Sequence, residues 1–315
     1  MALRARCPIL HKQAMETWVL ITIGAAFFQN IRSGLQKHLR GTVGTAAATF
    51  VRFGFGLPFA FVFLWIALGY TGHSVPSLPA SFWGWVMVGA ICQILGQVLL
   101  VIMFTLKNFA VGGAYVRVEP VLAAVFGALL LAEWPSALLM AAVAISVIGV
   151  MLISLTGTKV SLATLIGSLG TRAAMTGIAC ASIFGLAAVA FRAASLSLGG
   201  PTFFVQGAVT LCAAITIQTI IMGAWVAIKA PKDLLELLRR WKASIAVGFV
   251  GAAASYGWFT AMTLETAAAV KAVAQVEMLF GIITAAVVFR ERVTPRELIG
   301  CALIVSGVLL LILLG

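Results

Sequence analysis

The chain has 315 residues, of which 62% are hydrophobic and only 10% are charged, and its mean hydropathy is +1.12. A water-soluble domain of this composition would expose large apolar patches, so the solvent for most of the chain is lipid. The net charge of +12 does not indicate nucleic-acid binding, because the basic residues lie in short connections between apolar runs. Apolar runs of about 20 residues without period-two alternation favour membrane-spanning helices over a barrel.

Five spanning helices are predicted in the first half of the chain. They cover 18–35, 45–68, 82–104 and two runs within 111–153 that are separated by Glu133-Trp134-Pro135. Several spans carry polar side chains: Gln29, Asn30 and Arg32 in the first, Arg52 in the second, and Gln93 with Gln97 on one face of the third.

Five further spans are predicted in the second half, at 173–194, 203–228, 243–264, 267–289 and 298–314. Residues 231–241 are too charged to cross, and their amphipathic pattern predicts a helix along the membrane interface. The expected organisation is an uncleaved N-terminal tail (1–16), a five-helix repeat (17–155), a connecting loop (156–172) and a second five-helix repeat (173–315).

The two halves carry the same acidic residues at one fixed offset. A shift of 158 residues brings Glu119 onto Glu277, Glu133 onto Glu291 and Gly149-Val150 onto Gly307-Val308. Acidic residues are scarce in this chain, so duplication explains the match better than coincidence does. Because each repeat crosses the membrane an odd number of times, the second repeat begins on the opposite side of the membrane from the first. The two repeats are therefore predicted to have inverted topology.

The Lys and Arg residues predict the orientation. They concentrate in the connections after the odd-numbered spans: Lys37, Arg40, Lys107, Lys159, Arg172, Lys229, Lys232, Arg239, Arg240, Lys242, Arg290, Arg292 and Arg296. The positive-inside rule then places both termini outside the cytoplasm, in a multi-pass protein of the cell (inner) membrane.

Ionisable side chains at membrane depth are costly unless they are paired or hydrated, so they mark a cavity by default. Arg117 and Lys271 either bind an anionic group of a substrate there or extend to a helix end as snorkelling residues. Glu119 and Glu277 either pair with charges of neighbouring helices, or titrate, in which case transport is proton-coupled, or only cap or lock helices. At 100° per residue, Arg117 and Glu119 point to nearly opposite sides of the fourth span, whereas Lys271 and Gln275 share a face of the ninth.

Other candidates have a binding and a packing interpretation. Gln93 and Gln97 either line the pocket or bond between helices, and Asn30 either lines the pocket or stabilises a helix break. Tyr115, Tyr256 and Trp258 either form an aromatic wall or pack between helices. Arg52 is interpreted as a snorkelling or helix-locking residue, and Glu133 and Glu291 as cap or interface residues.

The sequence contains no pattern that indicates an enzyme. The five cysteines are scattered, and the three histidines lie outside the spans, which predicts no disulfide framework, metal site or cofactor. No nucleotide-binding glycine loop and no catalytic motif such as HExxH is found in the sequence. Secondary transport is therefore favoured over a membrane-embedded enzyme and over a structural or scaffolding protein.

Two segments carry a family resemblance, LLLAEWPSALLMAAVAISVIGVMLI (129–153) and VVFRERVTPRELIGCALIVSGVLLLI (287–312). With two five-span halves, the chain resembles the ten-span EamA-like members of the drug/metabolite transporter superfamily. The resemblance implies export or exchange of small metabolites by alternating access. The surplus of positive charge in the spans favours a zwitterionic or anionic, amino-acid-like substrate, with an organic anion or sugar phosphate as the alternative. The expected partners are this substrate and membrane lipid, with the chain as a monomer or homodimer.

Overall fold

The computed structural model describes residues 8–40, 43–104, 106, 109–155, 167–200, 202–287, 290 and 293–314, and the elements within these ranges are helices. Glu291, the start of the predicted tail (1–7) and most of the predicted connecting loop (156–166) lie outside the described residues. α1 begins at Pro8, so it includes residues that the sequence assigned to the tail.

Seven helices form the first half of the chain. They are α1 (Pro8–Arg40), α2 (Thr45–Gly54), α3 (Leu57–Thr71), α4 (Ala80–Phe104), α5 (Phe109–Val116), α6 (Glu119–Leu131) and α7 (Ala137–Ser154). The second half contains α8 (Arg172–Ser197), α9 (Phe203–Lys229), α10 (Pro231–Arg239), α11 (Trp241–Leu264), α12 (Ala267–Val273), a 3₁₀ turn (Ala274–Val276), α13 (Glu277–Val287) and α14 (Pro295–Leu314).

Hydroxyl side chains fix the starts of four helices. Ser136, Thr171, Thr202 and Thr266 each accept a hydrogen bond from the backbone three residues on, at the starts of α7, α8, α9 and α12. Such caps satisfy backbone N–H groups that have no partner within the helix, which matters most where water is scarce.

Nine segments of the described residues are long and apolar enough to cross a membrane: 45–71, 80–103, 111–131, 137–154, 172–197, 203–229, 241–264, 267–284 and 295–313. α1, with 33 residues, is the tenth helical segment of spanning length. Large apolar side chains such as Leu20, Trp65 and Leu129 face outward, as a lipid-facing surface requires. The predicted all-α membrane fold is confirmed.

Three of the predicted spans are broken helices rather than continuous ones. The second span is interrupted at Phe55-Gly56, the fourth at Arg117-Val118 and the ninth by the 3₁₀ turn at Ala274–Val276. The last two breaks lie 158 residues apart, and each is followed at once by a glutamate, Glu119 or Glu277, at the start of the second helical piece. Broken helices at equivalent positions of two repeats are typical of transporter binding sites.

The largest helix interfaces follow a twofold pattern. α4 packs on α8 as α11 packs on α1, and α7 packs on α14, so each repeat uses its first and third spans to hold the other. Small residues allow the close contacts: a methyl group on Gly149 would lie 2.7 Å from the Gly300 carbonyl oxygen. The spaces left between the two repeats enclose the candidate site.

The amphipathic helix predicted over 231–241 is present as α10, which ends at Arg239. Leu237 is fully buried, whereas Leu238 is more than half exposed. The Gly44 backbone N–H donates to Asp233 Oδ2 at 2.9 Å, which attaches α10 to the connection between α1 and α2.

Candidate functional site

A cavity of about 660 Å³ lies between the two repeats. Its lining combines aromatic and small apolar side chains with four cations (Arg32, Arg52, Arg117, Lys271) and two carboxylates (Glu119, Glu277). Four positive and two negative charges leave the lining with a formal net charge of +2. A chamber of this size with a few convergent polar groups is typical of a small-molecule site.

The broken helices place both carboxylates at the cavity. Glu119 is the first residue of α6 and Glu277 is the first residue of α13. The N-terminus of a helix carries a partial positive charge, which stabilises a carboxylate in the first turn. At the first of these breaks the backbone N–H groups of Arg117 and Val118 donate to carbonyls three residues back, at 3.1 and 3.2 Å.

An ion pair joins the two repeats across the cavity. Lys271 Nζ lies 2.8 Å from Glu119 Oε1, and the two side chains are 24% and 20% exposed. The Lys271 ammonium also lies 5.7 Å from the centre of the Trp258 ring. Glu119 therefore pairs with a charge of a neighbouring helix, which was one of its two predicted roles.

Glu277 belongs to a different network. Gln29 Nε2 donates to Glu277 Oε2 at 2.9 Å, and Trp258 Nε1 donates to Gln29 Oε1 at 3.1 Å. Arg32, one turn beyond Gln29 on α1, lines the same cavity. This network holds α1, α11 and α13 together at one wall of the cavity.

Seven predicted site residues line the cavity: Arg117, Lys271, Gln93, Gln97, Trp258, Glu119 and Glu277. Gln93 combines both of its interpretations, because it lines the cavity and its Oε1 accepts from Gln218 Nε2 at 2.6 Å. Arg117 and Glu119 both reach the cavity although a continuous helix would point them apart. The break at Arg117-Val118 removes the constant angle per residue on which that prediction rested.

The structure places four predicted binding residues outside the cavity lining. Gln275 is buried within the 3₁₀ turn, and Tyr115 belongs to a small apolar cluster with residues of α5 and α8. Tyr256 stacks on Phe63 at 5.6 Å and donates to a backbone carbonyl. Asn30 donates to Thr284 Oγ1 at 3.3 Å, which joins α1 to α13. These side chains pack between helices.

Several lining residues were not among the predicted ligands. Arg32 and Arg52 face the cavity from α1 and α2, and Phe184 and Phe191 face it from α8. The general rule that charges at membrane depth mark a cavity would have selected both arginines. No sequence signal distinguishes Phe184 and Phe191 from the other aromatic residues of the spans.

An arginine clamp closes one end of the cavity. Arg192 Nε donates to both carboxylate oxygens of Glu133, at 2.8 and 3.0 Å, and Nη2 lies 2.7 Å from Oε1. Arg192 Nη1 donates to the backbone carbonyls of Met262, at 2.6 Å, and Glu265. The clamp thereby joins the end of α6 in the first repeat to the ends of α8 and α11 in the second.

The clamp separates two spaces. Phe191 and Met262 line the central cavity, whereas Glu133 and Glu265 line a cleft of about 220 Å³ on the other side. The Phe191 and Phe259 rings, 4.4 Å apart between centroids, close the same end. At the opposite end the cavity lining extends to Ser33, Met103 and Ser154, near the C-terminal ends of α1, α4 and α7. The clamp and the two rings therefore lie between the cavity and the ends of α8 and α11.

Comparisons with known proteins give a family and a fold. The sequence model of the EamA-like transporter family matches residues 16–155 and 171–313, one match for each repeat. This match confirms the family predicted from the two repeated segments. A crystal structure superposes with a TM-score of 0.67 at 18% sequence identity, over 94% of this chain and 96% of that one, which supports the fold alone. No curated protein matches the chain.

Proposed function

Because the chain belongs to the EamA-like transporter family, we propose that it is a secondary active exporter or exchanger of a small, amino-acid-like metabolite that is zwitterionic or anionic. The observation that carries the proposal is the cavity between the repeats, with four cations and two carboxylates in its lining. Buried charges of this number are costly in lipid unless a hydrophilic molecule or water occupies the space.

Alternating access is supported by the unequal ends of the cavity. One end is closed by the Arg192 clamp and the Phe191–Phe259 contact, while the lining continues towards the other end. Inverted repeats can exchange such arrangements by a rocking motion, which would expose the same site on the other side. In this proposal no lining residue acts as a catalyst.

Arg117 is the proposed ligand for the substrate carboxylate. It lines the cavity, and no carboxylate of the described residues forms an ion pair with it. Lys271 is held by Glu119, so it would bind an anion by exchanging that partner. A substrate ammonium group would bind Glu277, which accepts a hydrogen bond from the neutral Gln29 amide.

Counterflow in proteoliposomes tests the proposal. Labelled neutral amino acids, organic acids and phosphorylated sugars are offered in turn to vesicles loaded with the unlabelled compound. We expect exchange of at least one zwitterionic or anionic compound, and a loss of about tenfold or more in Arg117→Ala and Lys271→Ala. The matched control is Arg239→Ala, because Arg239 is 69% exposed on α10. Absence of exchange throughout the panel, or unchanged exchange in both cavity variants, would contradict the proposal.

The proposed orientation places both termini outside the cytoplasm, in the cell (inner) membrane. The concentration of Lys and Arg in the connections after the odd-numbered spans supports it. A cysteine introduced into the N-terminal tail should react with an impermeant thiol reagent added outside the cell. Protection of that cysteine in intact cells would contradict the orientation without affecting the proposed transport.

A further inference from the structure

The cavity lining has more positively charged side chains than carboxylates that could pair with them. Lys271 is paired with Glu119, and Glu277 accepts a hydrogen bond from the Gln29 amide. Among the described residues, no carboxylate forms an ion pair with Arg32, Arg52 or Arg117. A substrate whose single negative charge lies on Arg117 would leave Arg32 and Arg52 without an anion.

Arg32 and Arg52 form a pair at one wall of the cavity. A methyl group on Gly251 of α11 would lie 3.3 Å from Arg52 Cβ and 3.4 Å from Arg32 Cδ, so both arginine stems cross the same point of α11. Arg52 is 8% exposed, and its guanidinium lies 4.3 Å from the Phe53 ring centre. The two like charges repel each other in this environment.

Arg32 and Arg52 differ from Arg192, the arginine of the clamp, in their hydrogen-bond partners. Arg192 is saturated by one carboxylate and two backbone carbonyls. By contrast, Arg32 Nε is buried without a hydrogen-bond partner among the described residues. A guanidinium whose only task is to lock helices would use its fixed fork of donors on protein acceptors, as Arg192 does.

We propose that Arg32 and Arg52 form a second anion subsite, in addition to Arg117, and that the transported molecule carries two acidic groups. This inference rests on the proposed transport function and narrows its substrate class to small dianions. Two negative charges match the net charge of +2 in the lining, and planar guanidinium groups bind carboxylate and phosphate alike. Whether the second acidic group is a carboxylate or a phosphate is left to the two arms of the experiment.

Ligand binding to purified protein in detergent tests the subsite apart from transport. The probes are malonate, succinate and glutarate in one arm, and phosphonoacetate, which carries a phosphonate in place of a phosphate beside a carboxylate, in the other. Acetate and alanine are the singly acidic controls. We expect the dianions of one arm to bind about tenfold or more tightly than the controls, measured by ligand-induced thermal stabilisation. Tighter binding in the phosphonate arm assigns a phosphate to the subsite, and tighter binding in the other arm assigns a carboxylate.

Substitutions of single arginines show which of them cause the preference for two acidic groups. Arg52→Gln and Arg32→Gln should each remove the preference for two acidic groups, measured as a fall of about tenfold in the affinity for the dianion relative to the affinity for acetate. Arg117→Gln should weaken both kinds of probe, and Arg239→Gln should weaken neither. If Arg52→Gln is not monodisperse, Arg52→Lys is used in its place. Because lysine keeps the positive charge, this variant should still bind dianions more tightly than singly acidic probes.

The inference is overturned if acetate or alanine binds as tightly as every dianion, if no dianion binds, or if Arg52→Gln weakens both probe classes equally. Transport of singly acidic compounds together with any of these results would leave the proposed function intact. Selective binding of dianions without counterflow would instead retain the subsite and contradict the transport function.

Discussion

Neutralising Arg192 should open the closed end of the cavity. Arg192→Gln keeps a polar side chain of related shape but removes the charge that binds Glu133 and most of the donors that reach the Met262 and Glu265 carbonyls. Since Phe191 and Met262 lie between the clamp and the cavity, loosening the clamp admits solvent towards the binding site.

The burial of the Arg192–Glu133 pair determines how much free energy the clamped state loses in this variant. Removing one partner of a fully buried ion pair costs about 3–5 kcal/mol. The Arg192 and Glu133 side chains are 11% and 19% exposed, and glutamine retains part of the hydrogen bonding, so the expected cost to the clamped state is about 2 kcal/mol. At 1.4 kcal/mol per tenfold, the population of the open state should rise about 30-fold.

Thiol labelling measures this population. Ser255 lines the cavity, so Ser255→Cys in a background without the five native cysteines reports access to it. An impermeant maleimide added from the side of the α8–α9 connection should react about 30-fold faster when Arg192→Gln is also present. Arg240→Gln is the matched control, because Arg240 forms an exposed pair with Glu236. Equal labelling rates in the presence and absence of Arg192→Gln would refute the assignment of the clamp as a gate.

Three further predictions concern stability and transport. In a double-mutant cycle of Glu119→Gln and Lys271→Met, thermal unfolding in detergent should give a coupling energy of about 1–3 kcal/mol, and additive effects would contradict the ion pair. Gly149→Ala should destabilise the fold by about 1–3 kcal/mol, because its methyl group would lie 2.7 Å from the Gly300 carbonyl oxygen; a stability equal to the wild type would argue against the α7–α14 contact. Tyr256→Phe removes a hydrogen bond outside the cavity and should lower stability by about 1 kcal/mol while counterflow stays within a factor of about two; a larger loss of transport would place Tyr256 in the site.

The fold class could be predicted from the sequence because it depends mainly on the local composition of each segment. Each apolar run is long enough to satisfy its own backbone only as a helix in lipid, and this holds whatever its neighbours are. The three breaks were not predicted. Gly56 with Pro58, and Pro120, could have indicated the first two, whereas the segment around Ala274–Val276 contains neither Gly nor Pro. Its equivalence to Arg117-Val118, which precedes Pro120, is the one sequence feature that could have indicated it.

The candidate site was only partly predictable. Charged residues such as Lys271 and Glu277 were selected because burial of a charge in lipid needs a reason, and both line the cavity. Tyr115 and Tyr256 could not be assigned, because periodicity gives the face of a helix but not the neighbour that the face meets. Arg32 and Arg52 needed the structure, since only the packing of both stems at Gly251 brings them together.

The two repeats share a backbone plan but not its charges, and this difference provides the most direct test of the inverted arrangement. Lys271 on α12 pairs with Glu119 at the start of α6. A shift of 158 residues relates Lys271 to Gly113 and Glu119 to Glu277. A lysine at position 113 should therefore reach Glu277 in the same way, if a twofold axis relates the repeats.

Gly113 can accept that side chain. A methyl group built on it meets no atom within 4 Å, and the residue lines the cavity. Gly113→Lys should couple to Glu277→Gln by about 1–3 kcal/mol in a double-mutant cycle of thermal unfolding. The neighbouring Gly112→Ala is the contrasting control, because its methyl group would lie 2.8 Å from the Ala173 carbonyl oxygen and should destabilise the fold by itself.

The same variant should slow transport. A second lysine–glutamate pair would hold α13 to the first repeat, as the pair of Lys271 and Glu119 holds α12, and alternating access requires the repeats to move against each other. Counterflow should therefore decrease in Gly113→Lys and recover in part when Glu277→Gln is added. A coupling energy below about 0.5 kcal/mol would mean that the position equivalent to Lys271 does not face Glu277, and the twofold relation of the two sites would have to be abandoned.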